Sequence, residues 1–204
     1  MSSQSLNNST SSIRKAIRNK RRDLSQPEQK NAAKKIALTL STLTHIQSAS
    51  HIAAYLANDG EVCLKPFINW CWQHNKKVYL PRLHPFSRGQ LLFMEYTEDT
   101  AMVNNTFGIA EPKLDVRSVV PIEQVDVILT PLVAFDHKGN RLGMGGGYYD
   151  RTLKRWYTEY QVAHTLKNYP IGIAHDCQQI EQLPSQAWDI PLPEIITSSQ
   201  HIVV

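Results

Sequence analysis

Cysteine is scarce in this 204-residue chain, which carries three: Cys63, Cys71 and Cys177. An odd count with no C-x-x-C pair offers neither a disulfide framework nor a zinc site, so all three read as structural or incidental thiols. Long apolar runs are missing as well. Nowhere do about 18 apolar residues follow one another, as a spanning helix requires. The opening MSSQSLNNSTSS has no apolar leader and no small-residue cleavage site, so the expectation is a cytoplasmic protein with no membrane partner. Charge of one sign does not dominate: 22 Lys and Arg stand against 18 Asp and Glu, for a net +4. A hydrophobic fraction of 42% and a charged fraction of 20% are ordinary for a globular domain and exclude disorder or fibre. A single domain of this length buries roughly 70% of the surface its unfolded chain exposes, so a substantial core is expected.

Glycine is rare too, with nine residues in all, yet Gly143, Gly145, Gly146 and Gly147 fill four of five positions within RLGMGGGYYDR. The other concentrated feature is basic. Arg14, Lys15, Arg18, Lys20, Arg21 and Arg22 lie within nine residues. Such a run either binds polyanions or forms the solvated face of a helix. Ile13, Ile17 and Leu24 recur near helical spacing and put the run on the wet side of an amphipathic helix. The Ser/Asn-rich residues 1–10 are expected to be disordered and 11–204 to form one domain. Ser25, Pro27 and Glu28 make a helix start of the S-x-x-E type, with Ala32, Ala33, Ile36, Leu40 and Leu43 as its apolar stripe.

From His51 the period changes. HIAAYLA and KVYLPR read as buried strands on either side of the helical PFINWCWQHN. QLLFMEY reads as a strand, TFGIAEP as a loop and VDVILTPLVAF as the longest strand. DRTLKRWYTEYQ reads as a helix, and PIGIAH and HIVV as the last strands. Strands alternating with helices predict an α/β fold on a mostly parallel sheet, with ligands at the carboxyl ends of the strands.

The glycine segment follows a strand and precedes a helix, where backbone N–H groups and a helix N-terminus converge on an anion. It is not a Walker loop, because Gly147 is followed by Tyr148 rather than Lys-Ser/Thr, and its spacing lacks the G-x-G-x-x-G of dinucleotide and kinase loops. A flexible turn would explain the glycines but not the flanking Arg141, Arg151 and Asp150. Arginine is a bidentate phosphate partner and aspartate a hard oxygen ligand for Mg²⁺, so the segment predicts nucleotide binding.

With HKGNRLGMGGGYYDR in view, the chain resembles the 5-formyltetrahydrofolate cyclo-ligase (methenyltetrahydrofolate synthetase) family. IRKAIRNKRRDLS, YLANDGE, VYLPR, FGIAEP and AWDIPLPEIIT carry the likeness over nearly the whole chain. The resemblance implies a single-domain three-layer α/β/α sandwich and a ligase. In the implied reaction Mg·ATP phosphorylates the formyl oxygen of 5-formyltetrahydrofolate, N10 attacks the activated carbon, and 5,10-methenyltetrahydrofolate, ADP and phosphate result. Phosphoryl transfer is catalysed by positioning and charge neutralisation, which suits a chain whose eight histidines form no catalytic pattern.

Residue by residue, the resemblance implies ATP contacts from Arg14 and from Arg141, Leu142, Gly143, Met144, Gly145, Gly146, Gly147, Tyr148 and Tyr149. Charge stabilisation falls to Arg141 and Arg14, with no acid or base assigned. It implies substrate contacts from Leu56, Glu61, Met144, Gly145, Gly146, Gly147 and Tyr148, and metal ligation by Asp150 and Asp189. Thr10 stands where the family often has a lysine that touches the phosphates, a charge that Lys15 or Arg18 could replace; Met144 takes a place that is basic in some relatives. Of the two tyrosines, Tyr148 is assigned to the ligand and the other to the core. Phe107 reads either as a pocket wall or as core, and Trp188 as packing. A monomer is the expected state.

Two other readings compete. An ATP-using paralogue of the same fold could act on another small carbonyl or formamide substrate, since fold and phosphate loop do not fix the acceptor. An RNA-binding module would use the basic helix, but the chain has no RNP-like strand motif and no KH-type loop. A nucleic-acid partner is therefore not expected.

Overall fold

The computed structural model describes residues 3–163, 167–186 and 188–204. Helix α1 (Ser3–Arg22) opens the described chain. Of the segment expected to be disordered, Met1 and Ser2 lie outside the described residues. Helix α2 (Gln26–Thr42) starts where the local signals put it: the Ser25 side chain accepts from the Glu28 N–H, and the Glu28 carboxylate accepts from the Ser25 N–H. Ala32, Ala33, Ile36 and Leu40 are its buried stripe. The short α3 (Thr44–Ser48) follows.

Strand β1 (His51–Ala53), helix α4 (Lys65–Gln73) and strand β2 (Lys77–Leu83) form a strand–helix–strand unit, and β3 (Leu91–Glu95) returns beside β2. TFGIAEP, expected as a loop, contributes β5 (Ala110–Pro112), which pairs antiparallel with β4 (Met102–Asn104) around a turn with Gly108 at φ +73. Three residues with one proline are too few to show a strand period.

After β6 (Val119–Val120) comes β7 (Val127–Pro131). The expected single strand VDVILTPLVAF is in fact two. Pro131 has no N–H to continue the ladder, and the chain leaves the sheet to form β8 (Ala134–Phe135), which pairs with β9 (Arg141–Leu142) in a hairpin. The Asp136 carboxylate shapes its turn by accepting from the N–H groups of Lys138 and Asn140. That departure carries Arg141 and the glycines over the end of the sheet. Helix α5 (Tyr148–Ala163) then leads to β10 (Tyr169–Ile173), and β11 (Glu194–Ile196) and β12 (His201–Val203) close the fold.

Eight strands form one sheet in the order β12-β11-β10-β7-β1-β2-β3-β6. β2, β1, β7, β10 and β11 are mutually parallel, while β3, β6 and β12 join by antiparallel pairing at the two edges. Val127 to Thr130 of β7 and every residue of β10 are buried, as both faces of a covered parallel sheet require. β1 continues through α4 to β2 on one side, whereas β7 continues through α5 to β10 on the other. Right-handed crossovers running in opposite directions put α4 and α5 on opposite faces. They also make the β1–β7 junction the point where the strand order reverses, and a crevice opens outside the carboxyl ends of such a pair. α2 packs on α4, while Trp156 of α5 stacks on Tyr160 and meets Tyr169 of β10 edge-on. α1 lies across the carboxyl end, where Ile17 is buried with Val133, Ala134, Leu142 and Leu183. Cys63, Cys71 and Cys177 are all free thiols.

Candidate active site

The crevice at the β1–β7 junction is a cavity of about 540 Å³, within the usual range of small-molecule sites. Leu56, Asp59 and Glu61 enter it from the segment after β1, Leu132 and Val133 from just past the end of β7, Arg141 from β9, and the glycine loop from beyond β9. Residues that lie some 80 positions apart in the chain thus share one space because two neighbouring strands end there.

The glycines are required for different reasons. Gly147 has φ +65, and a Cβ there would stand 2.8 Å from the Arg151 guanidinium. Gly146 does not adopt a left-handed conformation; a Cβ on it would meet the Tyr148 ring at 2.7 Å. Tyr148 begins α5, so the loop runs straight into a helix N-terminus, where the first N–H groups have no intrahelical acceptor and favour an anion. Arg151, read from sequence as a phosphate partner, directs its Nε to the Gly89 carbonyl at 2.7 Å and its Nη2 to the Gly146 carbonyl, and lies over the Tyr148 ring. It braces the loop.

Arg141 is a buried cation beside the glycine loop, its side chain only 5% exposed. Its Nη2 donates to Asp150 Oδ1 at 2.5 Å, while its Nε is buried with no protein acceptor. Burial pulls its pKa below the ordinary value, against the opposing charges of Asp150 and Asp189. Asp150 thus pairs with the guanidinium directly, whereas Asp189, nearly forty residues later in sequence, adds negative charge near it and is not among the residues that line the cavity. Asp189 also caps its own turn, accepting from the Gln186 N–H at 2.8 Å. Among the described residues no group of three or more His, Cys, Asp or Glu is gathered that could hold a metal ion alone. Two carboxylates fit only an ion that completes its shell with phosphate oxygens and water, which is the habit of Mg²⁺.

Glu61 lines the same cavity. Its Oε2 accepts from the Asn58 N–H at 3.0 Å, and Oε1 stands 4.0 Å from Arg21 Nη1. Burial pushes its carboxyl pKa up, and the Asn58 hydrogen bond and Arg21 offset this only in part. Tyr149 is pushed up by burial, and Glu61 adds to the shift. The Tyr149 phenol therefore stays neutral. Tyr148 and Phe107 also line the cavity. Trp188, expected to pack, is 72% exposed in a surface turn.

Arg14 and Gly145 complete the arrangement. Arg14 Nε donates to the Gly143 carbonyl at 2.8 Å, and its guanidinium is 3.8 Å from where a Gly145 Cβ would stand. Thr10 supports it, accepting from Arg14 Nη1 at 3.4 Å. Leu142 is buried in the hairpin under the loop, and Gly143, Met144, Gly146 and Gly147 line the cavity. Arg18 turns away from the loop to Asp59. Arg21, assigned by sequence to a solvated face, is fully buried. The signal was present: Ile17, Arg21 and Leu24 follow the i, i+4, i+7 spacing of the apolar face.

The sequence from 6 to 198 matches the model of the 5-formyltetrahydrofolate cyclo-ligase family. The chain belongs to that family. It is 47% identical over 184 residues to the 5-formyltetrahydrofolate cyclo-ligase of Escherichia coli K12, covering 90% of this chain and 97% of that protein. Against the Haemophilus influenzae cyclo-ligase it is 46% identical, covering 90% and 95%. The NMR structure of Aquifex aeolicus 5,10-methenyltetrahydrofolate synthetase superposes with a TM-score of 0.79 at 32% identity, covering 95% of this chain and 92% of that one. A methenyltetrahydrofolate synthetase from Mycoplasma pneumoniae superposes with a TM-score of 0.70 at 27% identity, over 93% and 98%. The mostly parallel α/β fold and the ligase class both follow from this membership. The cyclo-ligase family's likeness extends over the walls of the crevice as well as the glycine loop, since residues 6–198 include every segment that lines it. Among the described residues no helix is long and apolar enough to cross a membrane.

Proposed function

We propose that the enzyme uses Mg·ATP to cyclise 5-formyltetrahydrofolate to 5,10-methenyltetrahydrofolate, releasing ADP and phosphate. One observation carries the reading. A glycine loop at a helix N-terminus, with a buried guanidinium whose Nε lacks an acceptor, shares a single cavity with an oriented carboxylate. The first suits a triphosphate and the second suits the N–H edge of a pterin, which a carboxylate can bind through two parallel hydrogen bonds.

In the reaction the formyl oxygen takes the γ-phosphoryl group as ADP leaves, N10 forms a bond to the formyl carbon and gives up its proton to the departing phosphate or to water, and the C–O bond breaks to release phosphate. The protein acts by alignment and by meeting spread-out negative charge. Arg141 donates to phosphoryl oxygens from a dry position, where an ionic hydrogen bond is stronger than in water. Arg14 holds the loop through the Gly143 carbonyl and adds positive charge beside Gly145. Glu61 orients the folate ring, and Leu56, Tyr148 and Met144 flank it. Asp150 and Asp189 would hold Mg²⁺, which when bound neutralises phosphate charge. The neutral Tyr149 phenol lets Glu61 and Arg141 face one cavity without adding a charge between them.

Mixing protein, Mg²⁺, ATP and 5-formyltetrahydrofolate is expected to generate the methenyl chromophore, with turnover lost when either ATP or Mg²⁺ is omitted. If both ligands bind and no chromophore forms, the cyclo-ligase reading fails and a paralogue acting on another carbonyl or formamide takes its place.

The loop has its own test. Gly147→Ala puts a Cβ at a left-handed residue, at a cost of about 1–2 kcal/mol, and against the Arg151 guanidinium. ATP affinity is expected to fall about 5- to 30-fold, measured by calorimetry, with folate affinity changed much less. Equal loss of both ligands would assign Gly147 to the scaffold.

A further inference from the structure

Three arginines of α1 converge on one carboxylate that no substrate role explains. Arg18 Nε reaches Asp59 Oδ2 at 2.7 Å, Arg21 Nη2 reaches the same oxygen at 2.9 Å, and Arg22 pairs with Oδ1. Arg21 Nε also donates to the Asp59 carbonyl at 2.9 Å, and its Nη1 approaches the Leu132 carbonyl at the end of β7. The turn held in this way is a tight one: Asp59 has φ +51 and Gly60 φ +76, the Asp-Gly pair that two consecutive left-handed positions favour, and the Glu61 N–H closes it on the Asn58 carbonyl at 3.0 Å. Its next residue is Glu61, whose carboxylate is aimed by the Asn58 N–H of the same turn.

The charges explain why Asp59 is needed. Arg21 is fully buried, and a buried guanidinium without a counter-charge is strongly disfavoured. Among the described residues the carboxylates paired with it are Asp59 at 2.9 Å and Glu61 at 4.0 Å. Arg21 lines the same cavity, so if Asp59 did not neutralise it, Glu61 would be drawn into pairing with it and its acceptors would be taken from the substrate. We propose that Asp59 is a positioning residue: by taking Arg18, Arg21 and Arg22 it fixes the 58–61 turn and leaves Glu61 uncommitted, available to the substrate. The inference rests on the cyclo-ligase reading and on Glu61 as the folate carboxylate. It adds a second role for α1, whose Arg14 holds the glycine loop from the same side as Arg18 and Arg21, at i, i+4 and i+7.

Asp59→Asn tests it, because asparagine keeps the shape and is among the residues that best tolerate left-handed φ, so that mainly the charge is removed. The KM for 5-formyltetrahydrofolate is expected to rise about tenfold, in keeping with the loss of one charge-assisted contact, while the KM for ATP stays within about twofold. The pH profile supplies a readout that a merely structural residue would not move. With Asp59 neutral, Arg21 acts on Glu61 unopposed, and the acid limb of the folate-KM profile shifts to lower pH by at least about half a unit. Unchanged folate KM overturns the inference, as does an equal rise in both KM values with a lower Tm and an unmoved acid limb. Should Asp59→Asn fail to fold, the double variant Arg18→Gln/Arg22→Gln loosens the same turn from its exposed side and is expected to raise folate KM selectively. No selective rise there overturns it too. Wild-type turnover and Glu61→Gln are run beside these variants. A wild type without turnover defeats the cyclo-ligase reading, whereas a normal wild type and a Glu61→Gln defect beside an unaffected Asp59→Asn defeat this inference alone.

Discussion

Glu61→Gln is expected to raise the KM for 5-formyltetrahydrofolate roughly tenfold to a hundredfold while leaving the KM for ATP nearly unchanged. The amide keeps the shape and the hydrogen bond from the Asn58 N–H, but it replaces one of two acceptors with a donor that faces a donor. Charge-assisted hydrogen bonds of this kind contribute about 1.5–3 kcal/mol, which sets the range. The same substitution should stabilise the protein without ligand at neutral pH. Burial holds the Glu61 carboxyl pKa above its ordinary 4.5, so folding favours the protonated form. The stability this contributes is complete below pH 4.5 and is lost as pH rises through the folded-state pKa. At pH 7 the wild type carries the cost of a buried anion that glutamine does not. Thermal melts should therefore show a higher Tm for Glu61→Gln at pH 7 and convergence of the two proteins near pH 4. Parallel Tm curves across that interval, or equal loss of both ligands, would assign Glu61 to the scaffold rather than to the substrate.

What was legible in the sequence was written in local chemistry. Ser25 and Glu28 announce α2 because a capping box needs only four adjacent residues. The glycine loop stands out because close approach and positive φ both exclude side chains, whatever the rest of the fold does. The apolar runs at His51, Lys77 and Val127 are strands because a parallel sheet covered on both faces demands them. The illegible part depended on contacts across long separations. Pro131 ends β7 only because the hairpin of β8 and β9 has somewhere else to go. β4 and β5 are held by each other, and neither has enough residues to show a period. Asp59 looked like one polar residue of a turn in NDGE, since its three partners come from a helix about forty positions earlier. Arg21 sat in a basic run whose overall character concealed its place on the apolar face. Arg151 matched the composition of a phosphate site, but carbonyls of Gly89 and Gly146 take its donors.

Asp150→Asn and Asp189→Asn should each lower turnover about a hundredfold, with a much smaller effect on ATP affinity. Asp150 pairs with Arg141 and Asp189 adds negative charge near it, so a divalent ion held by both would act beside the phosphate-facing guanidinium. Losing one hard oxygen weakens the ion where phosphoryl transfer needs it, and losing one preorganised electrostatic partner typically costs about 10²–10³ in kcat. Because the two act on one ion, their effects should not add, and the double variant should be little worse than the poorer single one. Raising Mg²⁺ should restore part of the rate to each single variant by mass action. The geometry supplies a sharp alternative for each residue. Asp189 accepts from the Gln186 N–H, and as a turn cap alone it would show a lower Tm, additive loss and no response to Mg²⁺. Asp150 pairs with Arg141, and as a guanidinium anchor alone its loss would also resist Mg²⁺. In that case ATP affinity would fall along with the rate, because an unanchored Arg141 no longer meets the phosphates from a fixed position. Turnover measured against Mg²⁺ for the two singles and the double separates these cases: non-additivity with rescue supports a shared ion, and additivity without rescue removes Asp189 from the metal site and leaves Asp150 as the anchor of Arg141.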